Sequence, residues 1–403
     1  MTASLVRIPR LLTALCVLAS SALPVPGGAS EDTGRLRIEL AFPGDDVPVG
    51  AEGPWGFFSG QVLAYQGELE KIDLILLLDV SGSTNDSSGI DVDGDGKVRG
   101  KGFGRLFGSS RGDSILSAEV AAARVLLGQL DSRTTRVGVV VFSGVERGVT
   151  DALTEVPLTT DYRRVERGLE ELSLVPPAGG TNLYAGLRRA AQELLGRGGD
   201  SQRRKGAQRY IVLLTDGKPT LPGDPNSREP TDRAIGIARL LRKQRIRVES
   251  FALGPDAVAE SEAAREAARI TGGRYTAVGD LADLEDRITQ VRFLDVESLE
   301  LTNRTTDARA ECQVLTPEGR FFALVPVRAG DNELTLRATS QGGAVSLLER
   351  RVRFDPGAPL EARLDADQRR QLIRLRELCR RPDTPAGEPK RRRLEIETKE
   401  DAP

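Results

Sequence analysis

The chain has 403 residues, 39% hydrophobic and 29% charged, with a formal net charge of −2. That is a globular composition, and the length calls for two or three domains. There is no histidine, which excludes Ser-His-Asp and Cys-His catalysis, His-ligated zinc and His-based acid–base chemistry; no basic stripe with interleaved aromatics appears, so nucleic acid is not an expected partner.

Residues 1–29 read as a secretory signal peptide. Arg7 and Arg10 supply the positive region, and Leu11 to Leu23 an apolar core too short to span a bilayer. Cleavage is expected after Ala22 or Ala29; losing the two arginines and no acid takes the net charge from −2 to −4. Cys16 lies inside the apolar core, which disfavours a lipoprotein anchor. No second apolar run of about 20 residues follows. The mature chain is therefore expected to be exported, periplasmic or extracellular, without a transmembrane segment. Cys312 and Cys379 then remain. In an oxidising compartment they either pair across a long loop or stay two unrelated thiols.

Residues 30–70 form an N-terminal β segment. Arg35 to Phe42 alternates polar and apolar residues as a half-buried strand does. A loop rich in Gly, Pro and Asp, containing Trp55, leads to a second short strand at Gly60 to Tyr65.

From Lys71 the pattern changes. Ile72 to Leu78 is a short apolar run of the kind buried on both faces of a sheet. Asp79, Ser81 and Ser83 follow at alternate positions, at the strand end where an open parallel α/β sheet binds ligands. Three hard oxygen donors on one tight loop suit a small divalent cation such as Mg²⁺. A plain strand-to-helix turn, with the hydroxyls capping the next helix, accounts for the same residues.

An acidic insertion, residues 85–112, comes next. Asp91-Val92-Asp93-Gly94-Asp95-Gly96 matches the first half of an EF-hand loop, but the twelfth position is Gly102 where Glu is required. Ca²⁺ held by Asp91, Asp93 and Asp95, completed by Asp86 or Asp113, and an acidic solvated loop are both compatible with it. Ser114 to Leu130 reads as a helix capped by Asp113, a plain structural role for the Arg111-Gly112-Asp113 tripeptide.

Val137 to Phe142 is a strand, Ala152 to Leu158 a short antiparallel edge strand, and Asp161 to Leu172 a helix with Val165, Leu169 and Leu172 on one face. The loop Pro177-Ala178-Gly179-Gly180-Thr181-Asn182 opens another helix. Tyr210 to Thr215 is a second buried strand, ending at Asp216. A helix at Thr231 to Lys243, a strand at Val248 to Leu253, a helix at Glu260 to Ile270, a strand at Tyr275 to Val278 and a helix at Leu281 to Val291 complete the series. Strands alternating with helices of about 10–15 residues imply a mostly parallel sheet covered on both faces, a doubly wound α/β domain over residues 71–291.

Three of these motifs, Asp-x-Ser-x-Ser at 79–83, Gly179-Gly180-Thr181-Asn182 and Leu213-Leu214-Thr215-Asp216-Gly217, together resemble a von Willebrand factor A domain, a Rossmann-like fold, over roughly residues 70–290. In that family they are the three loops of the metal-ion-dependent adhesion site. The resemblance implies that Ser81 and Ser83 bind Mg²⁺ (or Mn²⁺) directly. It implies that Thr181 does so in the ligand-engaged state, and that Asp79 and Asp216 contribute directly or through water. An exposed Asp or Glu of a protein partner would fill the open position, and engagement at Thr181 would couple to movement of the helix at 281–291. No ligand position departs from the family pattern.

After Val291 the helical period ends. Val296 to Leu301, Arg320 to Val327, Glu333 to Ala338 and Val345 to Phe354 read as strands of a small antiparallel β-sandwich, residues 292–356. Four strands are few for a sandwich, so residues 35–65 are expected to supply more, with the α/β domain inserted between. Asn303-Arg304-Thr305 is a glycosylation sequon by pattern. Residues 357–403 hold one helix candidate, Asp365 to Arg381, and then a charged, disordered tail with the basic cluster Lys390 to Arg393.

The reading these features favour is an exported, metal-dependent protein-binding or adhesion module and not an enzyme. Two others stay open: a calcium-stabilised structural envelope protein, and a metal-assisted hydrolase with Asp79 or Asp216 as base. The absence of His and of an activated Ser or Cys pair weighs against the last.

Overall fold

The computed structural model describes residues 36–44, 51–52, 54–64, 71–95, 111–144, 151–174, 176–254, 261–294, 296–340 and 342–380. The expected signal peptide, residues 96–110 of the insertion and the tail beyond residue 380 lie outside the described residues.

In chain order the elements are β1 (Leu36–Phe42), β2 (Ala51–Glu52), β3 (Trp55–Ala64), β4 (Ile72–Asp79), α1 (Ile115–Leu127), β5 (Thr135–Phe142), β6 (Ala152–Thr159), α2 (Tyr162–Leu172), α3 (Leu183–Leu195), β7 (Gln208–Thr215), α4 (Glu229–Lys243), β8 (Ile246–Leu253), α5 (Glu262–Thr271), β9 (Tyr275–Val278), α6 (Leu284–Ile288), β10 (Ser298–Asn303), β11 (Ala308–Arg309), β12 (Cys312–Leu315), β13 (Arg320–Pro326), β14 (Gly330–Thr339), β15 (Val345–Phe354) and α7 (Ala366–Arg380).

Among the described residues these strands form three sheets. The central one has six strands in the order β6-β5-β4-β7-β8-β9. All neighbours are parallel except β6, which runs antiparallel on β5 at the edge. Every residue of β4 is buried. Ile72, Leu74, Leu76 and Leu78 face the layer of α1, α2 and α6, while Ile75 and Leu77 face the layer of α3, α4 and α5. Helices on both faces are the reason the run Leu74 to Leu78 is apolar without alternation. Each such side chain contributes about 1.5–3 kcal/mol of burial. Asp73, also buried, is paired with Arg136 at 2.7 Å and Arg204 at 2.9 Å. In α2, Val165, Leu169 and Leu172 are the buried stripe.

Two helix ends differ from the sequence expectation. Ser114, not Asp113, is the N-cap of α1: its backbone is extended and its hydroxyl accepts from the Ser117 amide at 3.1 Å. Asp113 stands one residue too early to cap. It is fully buried and accepts from the Val92 amide at 2.9 Å, anchoring the acidic loop. The helix expected over 281–291 is a 3-10 turn, Leu281–Asp283, followed by the short α6. Leu281, Leu284, Ile288 and Val291 are nevertheless all buried. Phe293 is held against Tyr210, with ring centroids 4.7 Å apart, and the Tyr210 hydroxyl donates to the Phe293 carbonyl.

The other two sheets are antiparallel. One follows the path β1-β3-β13-β12, with β2 on β3; the other is β11-β10-β14-β15. β3 pairs with β13 from Gln61↔Arg320 to Trp55↔Pro326, so strands on either side of the α/β domain in sequence share one layer. The facing surfaces bury Ile38, Phe58, Leu301, Phe321 and Leu336. On the outer face of the first sheet, Leu372 and Leu375 of α7 pack with Phe42, Phe57 and Phe322. Cys312 and Cys379 form a disulfide, Cα atoms 5.8 Å apart, that fastens α7 to β12. The α/β and β parts are joined through Glu318, whose carboxylate accepts from the Asp131 amide at 2.9 Å and from the Thr135 hydroxyl. Arg320 lies 3.7 Å from Asp131.

Candidate metal centre

The central sheet reverses its winding between β4 and β7: β5 adds on one side of β4 and β7 on the other. The crevice outside the carboxyl ends of two such strands is where doubly wound sheets bind ligands. Asp79 ends β4 and Thr215 ends β7. The Thr215 hydroxyl donates to Asp79 Oδ2 at 2.6 Å, and the Ser81 amide donates to Asp79 Oδ1 at 3.0 Å. Asp79 is wholly buried. The chain turns into a 3-10 segment, Gly82–Asn85. This turn brings the Ser81 and Ser83 hydroxyls to 3.2 Å from each other, and Ser83 Oγ donates to Asp216 Oδ1 at 2.9 Å. Asp79, Ser81, Ser83 and Asp216 thus form one hydrogen-bonded set.

Thr181 stands on the adjoining loop, buried but outside that network. Its amide donates to Thr220 Oγ1 at 2.8 Å, and its carbonyl accepts from the Thr220 amide at 2.9 Å and the Leu221 amide at 3.1 Å. The loop is stitched to the first by Gly82 N to Gly179 O at 2.9 Å and Ala178 N to Val80 O at 3.1 Å. Gly179 also lets the loop close on the segment after β5, where the Gly180 amide donates to the Gly144 carbonyl at 2.8 Å: the φ of Gly179 is +87°, and a Cβ there would lie 2.1 Å from that carbonyl oxygen. Asn182 caps α3, accepting from the Ala185 amide at 3.1 Å.

The electrostatics of this pocket are dominated by carboxyl groups. Burial pushes the Asp79 carboxyl above its ordinary range, with the Thr215 and Ser81 hydrogen bonds pulling it back. Burial, and then the Asp79 charge, push Asp216 up to about 7. A third carboxyl belongs to the set, and the sequence motifs do not reveal it. Glu119 of α1 is fully buried, and neither of its oxygens has a hydrogen-bond partner. Burial, then the Asp79 and Asp216 charges, hold it well above the carboxylate range, against a weaker pull from the nearby Asp79 backbone amide, whose approach falls short of a full hydrogen bond. The signal that finds it is positional. Leu116, Glu119, Ala123 and Leu126 lie at i, i+3, i+7 and i+10, so an acid occupies the buried stripe of an otherwise apolar helix.

Carboxylates and hydroxyls are the donors that Mg²⁺ and other hard cations take. Crowded, buried carboxyls are also the environment in which a bound cation supplies the missing counter-charge. The residues present therefore fit such an ion.

The acidic loop is separate. Asp91, Asp93 and Asp95 are exposed, and their ligand atoms lie within 4.8 Å of one another. Asp91 Oδ1 accepts from the Gly94 amide at 2.7 Å, and Asp93 Oδ1 from the Asp95 amide at 3.2 Å. Neither Asp86 nor Asp113 belongs to that group.

A doubly wound α/β domain with an oxygen-donor cluster at its switch point, set beside an antiparallel β-sandwich, is the class that fold and site define. Residues 74–218 match the family model of the von Willebrand factor type A domain. No curated protein matches the chain. Among solved structures, the chain is similar to an aerotolerance-related membrane protein from Bacteroides fragilis NCTC 9343, at 19% identity over 54% of this chain and 97% of that one, TM-score 0.37. It is similar to the pilus adhesin SpaC from Lactobacillus rhamnosus GG in its open conformation, at 12% identity over 80% of this chain and 47% of that one, TM-score 0.44. It is also similar to proximal thread matrix protein 1 from the mussel byssus with a zinc-occupied MIDAS motif, at 19% identity over 54% and 46%, TM-score 0.34. The chain spans less than half the length of the last two.

Proposed function

We propose that the chain is a cation-dependent protein-binding module. In this reading Asp79, Ser81, Ser83, Thr181 and Asp216 hold Mg²⁺ or Mn²⁺, and an exposed Asp or Glu of a protein partner completes the coordination. The observation that carries the reading is the preassembled set at the switch point, where Ser83 joins the β4 loop to Asp216 after β7. The match of residues 74–218 to the von Willebrand factor type A domain supports it. The bound cation supplies positive charge at an open position. The chain's residues do the rest: Asp79 fixes the Ser81 loop through its amide, and Thr215 orients Asp79. Gly179 lets the Thr181 loop approach. Neutral hydroxyls among the donors leave the ion electrophilic toward a partner carboxylate. The signal-peptide reading of residues 1–29 makes the module an exported one. Among the described residues no helix is long and apolar enough to cross a membrane.

The test is selection of a random peptide library on the full mature chain in Mg²⁺. Enriched peptides should require an Asp or Glu and lose binding in EDTA. Peptides that bind equally in EDTA, or without an acid, would contradict the reading.

The acidic loop favours a second reading, a calcium-stabilised structural protein in which Ca²⁺ at Asp91, Asp93 and Asp95 only orders the loop. Three carboxylates within 4.8 Å support it. It predicts a melting response to Ca²⁺, lost in Asp93→Ala, with no cation-dependent peptide binding.

A further inference from the structure

The α1, α2 and α6 layer does not cover the whole sheet. α6 has only five residues, and at the β8–β9 end of this face a cavity of about 560 Å³ is left between the strands and the segment after α6. Arg247 and Glu249 alternate along β8 and point to one face. Arg274 precedes β9, Arg287 lies on α6 and Arg292 follows it; all five line the cavity.

Four arginines and one carboxylate line the cavity. Burial pushes the Glu249 carboxyl up, and the Arg247 and Arg274 charges favour its carboxylate form. Among the described residues none of the four arginines forms an ion pair. Arginines elsewhere in the chain do, as Arg136 with Asp73 at 2.7 Å and Arg189 with Glu193 at 3.2 Å. Arg292 donates through Nη1 to the Thr289 and Val291 carbonyls, both at 2.8 Å, while its buried Nε has no partner. Arg247 lies 5.6 Å from the Tyr210 ring centroid. The Glu249 carboxylate accepts from the Arg274 amide at 2.9 Å. Burial, and then the charge of Arg274, bring the Arg292 guanidinium down to about 10, so it is still a cation at neutral pH.

We propose that this cavity is a second binding site, for a small organic anion carrying two or more phosphate or carboxylate groups. Its volume is that of a small-molecule site and exceeds what one inorganic phosphate fills. The planar guanidinium fork matches both oxyanion classes bidentately. Arg274 and Arg287 are exposed at the mouth and Arg292 is half-buried in the wall. An anion gripped by Arg274 and Arg287 bridges β9 and α6. The site shares no residue with the cation centre.

Calorimetric titration of the full chain, stripped of metal on a chelating resin, with pyrophosphate and with citrate in a chelator-free buffer at fixed ionic strength, tests it. Prior removal of metal keeps either probe from being held through a cation at Asp79, so failure here leaves the cation reading intact. The wild type should bind at least one probe saturably and at unit stoichiometry. Pyrophosphate alone points to phosphate esters, citrate alone to polycarboxylates. Arg274→Gln with Arg287→Gln, both at exposed positions, should weaken binding at least tenfold, and Glu249→Gln, which removes the cavity's acid, should tighten it. No saturable binding of either probe at millimolar concentration, or equal binding by the double arginine variant, overturns the proposal.

Discussion

Ser83 Oγ donates to Asp216 Oδ1 at 2.9 Å, across 133 residues of sequence. The bond joins the loop after β4 to the loop after β7. Ser83→Ala removes both a donor to the proposed ion and the group that orients Asp216. Loss of an orienting group alone lowers metal affinity about 10–100-fold, and loss of a donor adds to that. Calorimetric titration with Mn²⁺ should show a fall of at least that size in Ser83→Ala, and no measurable binding in Asp79→Ala.

Asp216 is raised to about 7 from an ordinary value of 3.8. Between those values the folded chain keeps a proton that the unfolded chain has lost. Metal-free stability therefore falls as pH rises from about 4 to about 7. Melting in EDTA should occur at a lower temperature at pH 8 than at pH 5. Asp216→Asn, neutral at both, should reduce this difference, the raised Asp79 and Glu119 carrying the remainder, and saturating Mg²⁺ should diminish it in the wild type, because ion binding favours the charged form.

Glu119 should separate stability from cation response. Its carboxyl is buried with both oxygens unmet, a costly arrangement for a charge. Glu119→Gln keeps the shape and removes the titration. In EDTA at pH 8 the variant should melt higher than the wild type by a few degrees, at about 2–4 °C per kcal/mol. Its gain on adding Mg²⁺ should be smaller. A Glu119 with only a packing role would leave that gain unchanged.

The Cys312–Cys379 bridge closes 67 residues. Chain entropy for a loop of that size gives about 4 kcal/mol of stabilisation. In Cys379→Ser the β part should unfold at clearly lower urea, by tryptophan fluorescence of Trp55, which packs in the cluster beneath α7. The Mg²⁺ response of the α/β part should persist.

Much of the fold is legible in local pattern because the pattern has one cause. β4 is apolar from Leu74 to Leu78 and β7 from Tyr210 to Leu214 because helices cover both faces, and the ends carry Asp79 and Asp216 because side chains there reach the crevice. Tyr275–Val278 is bounded alike in sequence and structure. Where the outcome depends on distant partners, local pattern fails. Glu119 is one acid in a helix until the sheet is laid beneath it. Asn303 fits a glycosylation sequon, yet it is fully buried and its amide donates to the Pro326 carbonyl at 2.8 Å and to Asn332 Oδ1 at 2.9 Å. β11 and β12 are two and four residues long, too short to carry a period. Ser114 replaces Asp113 as cap because Asp113 is committed to the Val92 amide, a contact from 21 residues upstream.

Thermal melting of the full chain in EDTA and in Mg²⁺, for the wild type and Asp79→Ala, tests the central claim most directly. An ion present at about 100 times its dissociation constant adds about 2.7 kcal/mol to the native state, or roughly 5–10 °C for a domain of this size. The wild type should gain that increment and Asp79→Ala should gain none. Equal melting of the wild type with and without Mg²⁺, or a gain that survives in Asp79→Ala, would contradict a cation centre built on Asp79, Ser81, Ser83, Thr181 and Asp216.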